Sequence, residues 1–88
     1  MEIAFTDEAK EDLQYWKNTN NLKTQKRITQ LILSIKDDPF KGIGKPEPLK
    51  HLLAGYWSRR IDQENRLIYE VAKDRVTVHA LKGHYKKK

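Results

Sequence analysis

Two spacings of apolar residues divide this chain. From Ala9 to Ile35 they recur at helical intervals, and from Tyr56 to Leu81 they alternate as in a strand. Ahead of the helical stretch, Glu2 to Phe5 reads as a short apolar strand. Thr6 is a helix N-cap, and Asp7 and Glu8 put negative charge where a helix N-terminus favours it. Ala9, Leu13 and Trp16 then share one face. Asn18 to Asn21 interrupts the pattern. A second helix follows, with Leu22 near its start and Ile28, Leu31, Ile32 and Ile35 as its apolar stripe. Asp37, Asp38 and Pro39 end it. The two are expected to form a helical hairpin packed on a sheet.

The segment Phe40 to Lys50, FKGIGKPEPLK, reads as a loop, because two glycines and two prolines oppose regular structure. Three strands are expected after it: Tyr56–Ile61, Leu67–Val71 and Arg75–Leu81. Asp62 to Asn65 and Lys73-Asp74 supply the turns. Alternation gives Trp57 and Ile61 one face and Ser58 and Arg60 the other. Leu67, Tyr69 and Val71 share a face, opposite Arg66, Ile68 and Glu70, and Val76, Val78 and Ala80 line up similarly. If the apolar faces meet the helices, Arg60 and Arg66 emerge together on the open face. Ile68 interrupts the polarity of that face and could mark a contact with another chain. The expected fold is α+β, in the order β-α-α-β-β-β. An antiparallel-dominated sheet carries the helical hairpin on one face, within one domain spanning residues 1–88. No repeat, low-complexity linker or domain boundary interrupts it.

Composition narrows the class. The 88 residues suit one domain with a thin core. Without cysteine there is no disulfide and no thiolate ligand or nucleophile. A small chain lacking disulfides is expected inside the cell. No apolar run approaches the roughly 18 residues of a membrane span. The opening MEIAFTDEAK lacks the basic start and long apolar stretch of a secretory signal, so the cytoplasm is the expected location. Lys and Arg total 18 against 12 Asp and Glu, a net charge of +6. Most of the basic residues lie after Pro39. Nucleic acid suits such an asymmetry, through phosphate contacts and counterion release. The plain alternative is charge that serves solubility.

Most catalytic apparatus is missing. There is no G-x-S-x-G. The G-x-G at Gly42–Gly44 lacks the third glycine and following helix of a phosphate loop. His51, His79 and His84 have no H-x-x-x-H spacing and no obvious carboxylate cluster, so neither metal nor cofactor is expected. What remains is an acid–base set: Glu47, Lys50, His51, Arg60, Arg66, His84 and Tyr85. Pro46 and Pro48 flank Glu47. Each proline restricts the residue before it, Lys45 and Glu47, to extended geometry. A carboxylate held this way loses little entropy on meeting a substrate, though a structural loop acid fits the spacing equally well. His84-Tyr85 follows the last strand in a basic context, and the Lys86–Lys88 tail could add phosphate attraction or be a solvated end. Metal-free RNA cleavage fits these residue types. RNA carries its own 2′-hydroxyl nucleophile, and the enzyme must supply a base, an acid for the 5′-oxygen, and cations for the phosphate.

KGIGKPEPLKHLLAGYWSRRIDQENRLIYEV, followed by KGHY, resembles the YoeB branch of the RelE-like toxins, ribosome-dependent mRNA interferases of bacterial toxin–antitoxin pairs. The resemblance spans nearly the whole chain, and GKPEPLK, WSRRI, NRLIY and the closing HY in this order are its most specific part. It implies Glu47 as general base, His84 as general acid and Arg66 as stabiliser of the pentacovalent phosphate. Lys50 and Arg60 would bind or neutralise the phosphate, and Tyr85 would position substrate or assist His84. Apart from the resemblance, His51 is a secondary candidate for phosphate binding, and a His beside a loop acid is more often a hydrogen-bonded scaffold residue; a catalytic role, a structural one or neither stays open. It also implies a YefM-like antitoxin whose partly disordered segment covers the site, action on mRNA in the A site of the 70S ribosome, and a homodimer. Tyr15, Trp16 or Ile68 could serve the dimer contact, with core packing the expected role of Trp16. Two other readings compete: a non-catalytic RNA- or ribosome-binding module, and an inactive toxin that only binds its antitoxin.

Overall fold

Apolar burial and local capping account for the two helices. The computed structural model describes residues 1–50 and 55–83. Strand β1, Glu2–Phe5, leads into α1, Asp7–Asn18. The Thr6 hydroxyl accepts a hydrogen bond from Ala9 N at 3.1 Å and donates one to His79 O at 3.2 Å. One N-cap therefore starts the helix and ties it to the last strand. Asn20, at φ +54°, turns the chain into α2, Leu22–Asp37, which Asn21 caps by accepting from Thr24 N. Ala9 and Trp16 of α1 and Ile28, Leu31 and Ile35 of α2 are buried in the core, and Leu13 and Ile32 pack against it.

The rest of the chain builds β2 (Glu47–Pro48), β3 (Tyr56–Arg60), β4 (Arg66–Val71) and β5 (Arg75–Ala80). The sheet order is β1-β5-β4-β3-β2. Strand β1 runs parallel to β5, and the other neighbours are antiparallel. This is the expected α+β class. One face meets the helices through Leu67, Tyr69, Val76 and Val78, and the other carries Arg60 and Arg66 as anticipated.

Four details depart from the sequence reading. The loop contains a short strand, because the Pro-Glu-Pro run lies against β3. Leu49 N donates to Tyr56 O at 2.8 Å, so by antiparallel alternation Pro48 faces Trp57 where the ladder requires no N–H. Lys45 is not extended but stands at φ +52°, the sharp turn that brings the chain out of Gly44 and into β2. A bulge opposite Ile68 and Tyr69 adds His79 to β5, which turns Ala80 to the open face beside Ile68 and leaves Leu81 to continue the core. Finally, Ile68 is not an exposed apolar spot, since only 8% of its surface is accessible.

Arg59 shares its face with Trp57 and Ile61 and is fully buried. It has no carboxylate partner among the described residues. Instead its Nη1 donates to Ser34 Oγ at 2.7 Å and Ile43 O at 3.1 Å, and its Nη2 to Asp38 O at 2.7 Å and Lys41 O at 3.0 Å. Its Nε donates to the Tyr69 hydroxyl, which in turn donates to Pro39 O at 2.7 Å. Burial raises the pKa of that phenol, although Arg59 opposes the shift, and the hydroxyl stays a donor. The segment from the end of α2 to β2 is thereby fastened to the sheet from beneath.

The two adjacent arginines should therefore behave oppositely. Arg59→Met is expected to lower the unfolding free energy by about 2–4 kcal/mol, since several buried acceptors lose their donors. Arg60→Met, at an exposed position, should change it by about 0.5 kcal/mol or less. Urea denaturation followed by tryptophan fluorescence measures both. Equal losses would mean that the Arg59 bonds add nothing to stability.

Candidate active site on the open sheet face

Cross-strand register brings the candidate residues together. Glu47 pairs with Ser58, Ser58 with Ile68, and Ile68 with Ala80, so these four form one row across β2, β3, β4 and β5. Arg60 and Arg66 are directly opposite each other in the next row of the same face. Two residues along a strand span about 7 Å and adjacent strands lie about 4.8 Å apart. An exposed carboxylate thus lies one row from a pair of guanidinium groups, on a scale that a phosphodiester can bridge.

Like charges directly opposite each other cost stability, and an anion between them removes the cost. Arg66 is partly committed. Its Nη1 donates to Asp62 O at 2.9 Å and to Asn65 O at 3.3 Å, which fixes the guanidinium at the β3–β4 turn. That turn is itself held by Asp62, whose Oδ1 accepts from Glu64 N and Asn65 N, both at 2.8 Å. Burial alone would raise the Asp62 pKa, but these bonds and the Arg66 charge outweigh it and keep the carboxyl below its ordinary value. Arg27 Nη2 donates to Arg60 O at 3.1 Å, so α2 steadies the backbone beneath the second guanidinium. Among the described residues, Arg75 forms an ion pair with Glu2, and His79 is hydrogen-bonded to Glu70. Neither uses Glu47, Lys50, Arg60 or Arg66.

The chain leaving β5 is steered to this same end of the sheet. Helix α1 grips Leu81 from both sides. Its backbone N donates to Asp12 Oδ2 at 2.9 Å, and its carbonyl accepts from Trp16 Nε1 at 2.8 Å. The role of Trp16 is thus core packing plus this bond. Two residues on, Gly83 O accepts from Arg66 N at 2.9 Å and Gly83 N donates to Asn65 Oδ1 at 2.8 Å. His84 and Tyr85, like His51, lie outside the described residues. The structure places Glu47, Arg60 and Arg66 on one face, and Lys50 is exposed just past β2.

Two features were not anticipated. Arg59 could have been found by strict alternation, since it falls between Trp57 and Ile61 on the core face. The pairing of His79 with Glu70 could not, because the bulge that presents His79 has no signature in the sequence. Among the described residues no group of His, Asp and Glu is arranged to hold a metal ion, and no helix is long and apolar enough to cross a membrane.

Comparison with known proteins identifies the family. A family model described as the YoeB-like toxin of bacterial type II toxin–antitoxin systems matches residues 5–85. Toxin YoeB of Streptomyces coelicolor is 48% identical over 85 residues, covering 97% of this chain and all of the relative. Among solved structures, a YoeB/ParE toxin from Agrobacterium tumefaciens superposes with a TM-score of 0.92 at 40% identity, covering 97% of this chain and 100% of that one. A YoeB dimer and a heterotetrameric YoeB–YefM toxin–antitoxin complex, both from Staphylococcus aureus, give TM-scores of 0.87 and 0.85 at 42% identity, each covering 97% of this chain and 98% of the other. With its fold, its length and its sequence all in agreement, the chain belongs to the YoeB-like toxins of bacterial type II toxin–antitoxin systems.

Proposed function

We propose that this toxin is a metal-independent endoribonuclease that cuts mRNA in the A site of the ribosome and so stops translation. The observation that carries the reading is the register that sets Glu47 one row from the Arg60–Arg66 pair. Glu47 takes the proton of a ribose 2′-hydroxyl as its oxygen attacks the adjacent phosphorus. Arg66, with Arg60 and Lys50, neutralises the charge that grows on the phosphate oxygens. His84 protonates the departing 5′-oxygen, and Tyr85 positions the substrate or assists His84. His51 adds a phosphate contact or serves as scaffold. The products are a 2′,3′-cyclic phosphate and a 5′-hydroxyl. Gly83, to which His84 is joined, is bonded to Arg66, which supports a shared site.

The same reading covers partners. An acidic, YefM-like antitoxin segment folding over the cationic face would block the site, as coupled folding allows a short segment to cover a large surface. The YoeB–YefM complex of Staphylococcus aureus supports such a partner, and the YoeB dimer supports self-association. The reading also takes the chain as one toxin domain over residues 1–88 that acts on ribosomes in the cytoplasm.

Glu47 is exposed, so its replacement separates chemistry from folding. Glu47→Ala should leave stability within about 0.5 kcal/mol and lower the cleavage rate about 10²–10⁴-fold. The assay adds purified protein to programmed ribosomes and maps mRNA ends by primer extension. Discrete A-site cuts with the native protein alone are expected. Undiminished cutting by Glu47→Ala would remove Glu47 as the base, and ribosome binding with no cuts would leave a binding module. Salt provides a second check. Arg60→Ala and Lys50→Ala should each weaken RNA binding and flatten its dependence on salt by about one phosphate contact. An unchanged slope in both would place the phosphate elsewhere.

A further inference from the structure

Beyond the row of Glu47, the open face carries a second cluster of different chemistry. Tyr56 and Glu70 are opposite each other on β3 and β4, and the bulge in β5 brings His79 to the same place. His79 Nε2 lies 3.0 Å from Glu70 Oε1, with 29% and 43% of the two side chains exposed. The Tyr56 and His79 rings reach toward each other across β4, their centroids 4.8 Å apart and their planes inclined by 38°. Burial, and then the neighbouring Glu70 carboxylate, raise the Tyr56 pKa, so the ring remains a neutral phenol.

This cluster is poorly suited to phosphate, because the Glu70 carboxylate lies beside the rings, 3.0 Å from His79 Nε2. It is suited to a planar group that carries no charge. Every nucleobase has such a face, and stacking on aromatic side chains is the common way single-stranded RNA is held. The position also fits. The Tyr56–Glu70 row is two residues, about 7 Å, from the row of Glu47 and on the side away from Arg60 and Arg66. Bulges beside active sites commonly re-aim one side chain, and here the re-aimed side chain is His79.

We infer that Tyr56 and His79 form a platform on which the nucleobase beside the scissile phosphate stacks, with Glu70 holding the His79 ring in place. The inference rests on the ribonuclease reading and extends it: the arginine end of the face takes the phosphate, and the aromatic end takes a base. A purely structural cross-strand cluster would support the sheet but leave base contacts unaltered.

The test uses the full chain and a short 2′-O-methyl RNA, which lacks the nucleophile and cannot be cut. The RNA carries 2-aminopurine at each position in turn, a base whose fluorescence falls when it stacks. Quenching at one position is expected, with Kd raised about 5-fold or more in Tyr56→Leu and His79→Ala. Tyr56→Phe should keep the quenching. Quenching at no position, or equal quenching and affinity in the Leu and Ala variants, would overturn the inference. Circular dichroism verifies folding, and if Tyr56→Leu does not fold, His79→Ala and Tyr56→Phe decide the matter. Because no cleavage is required, failure of the ribosome assay would remove the nuclease reading without determining this result.

Discussion

A guanidinium buried without a counter-charge must have its donors satisfied by neutral acceptors, or the fold around it fails. Arg59 meets that condition by collecting the carbonyls of Asp38, Lys41 and Ile43 together with two hydroxyls. Those carbonyls belong to a segment with little apolar content of its own to anchor it. The bonds turn an irregular connection into a fixed one, and the connection delivers Glu47. Gly44 continues the attachment: its carbonyl accepts from Arg60 N at 2.7 Å, and a Cβ there would meet Leu31 Cδ2 at 2.6 Å. At this point the packing of α2 and the position of the acid are one problem with one solution.

The chain leaving β5 is organised from the opposite edge of the core. Helix α1 holds both backbone groups of Leu81, and the β3–β4 turn holds Gly83. Two independent devices thus converge on Arg66, one setting its guanidinium and one setting the chain beside it. The charge distribution follows from this economy. Strand alternation sends every second residue of β3 and β4 away from the helices, and an arginine at Arg60 or Arg66 costs the core nothing.

Legibility in the sequence tracked the range of the interaction responsible. Thr6 and the stripe from Ile28 to Ile35 act within a turn or two of helix, and their roles could be read directly. Alternation is equally local, so the shared face of Arg60 and Arg66 was visible too. What escaped depended on partners distant in the chain. Lys45 takes a positive φ because Gly44 is docked on β3, and the Glu47–Pro48 strand exists only because β3 is there to receive it. His79 changed meaning through a single inserted residue in the ladder. The wider likeness of GKPEPLK, WSRRI and NRLIY to known toxins supplied the chemistry that spacing alone left open.

The prolines around Glu47 have a bearing on how the molecule avoids sticking to itself. Strand β2 forms one border of the sheet, and a border strand ordinarily offers a row of N–H and C=O groups to any passing chain. With Leu49 bonded inward to Tyr56, alternation turns positions 46 and 48 outward. Both are proline, so the outer rim of β2 has no N–H to donate. A second β-strand cannot be templated there, whether from another toxin molecule or from an unfolded neighbour. Glu47 is thus presented on a strand that can be approached through its side chains and not through backbone donors, and this border of the sheet is closed to fibre-like growth.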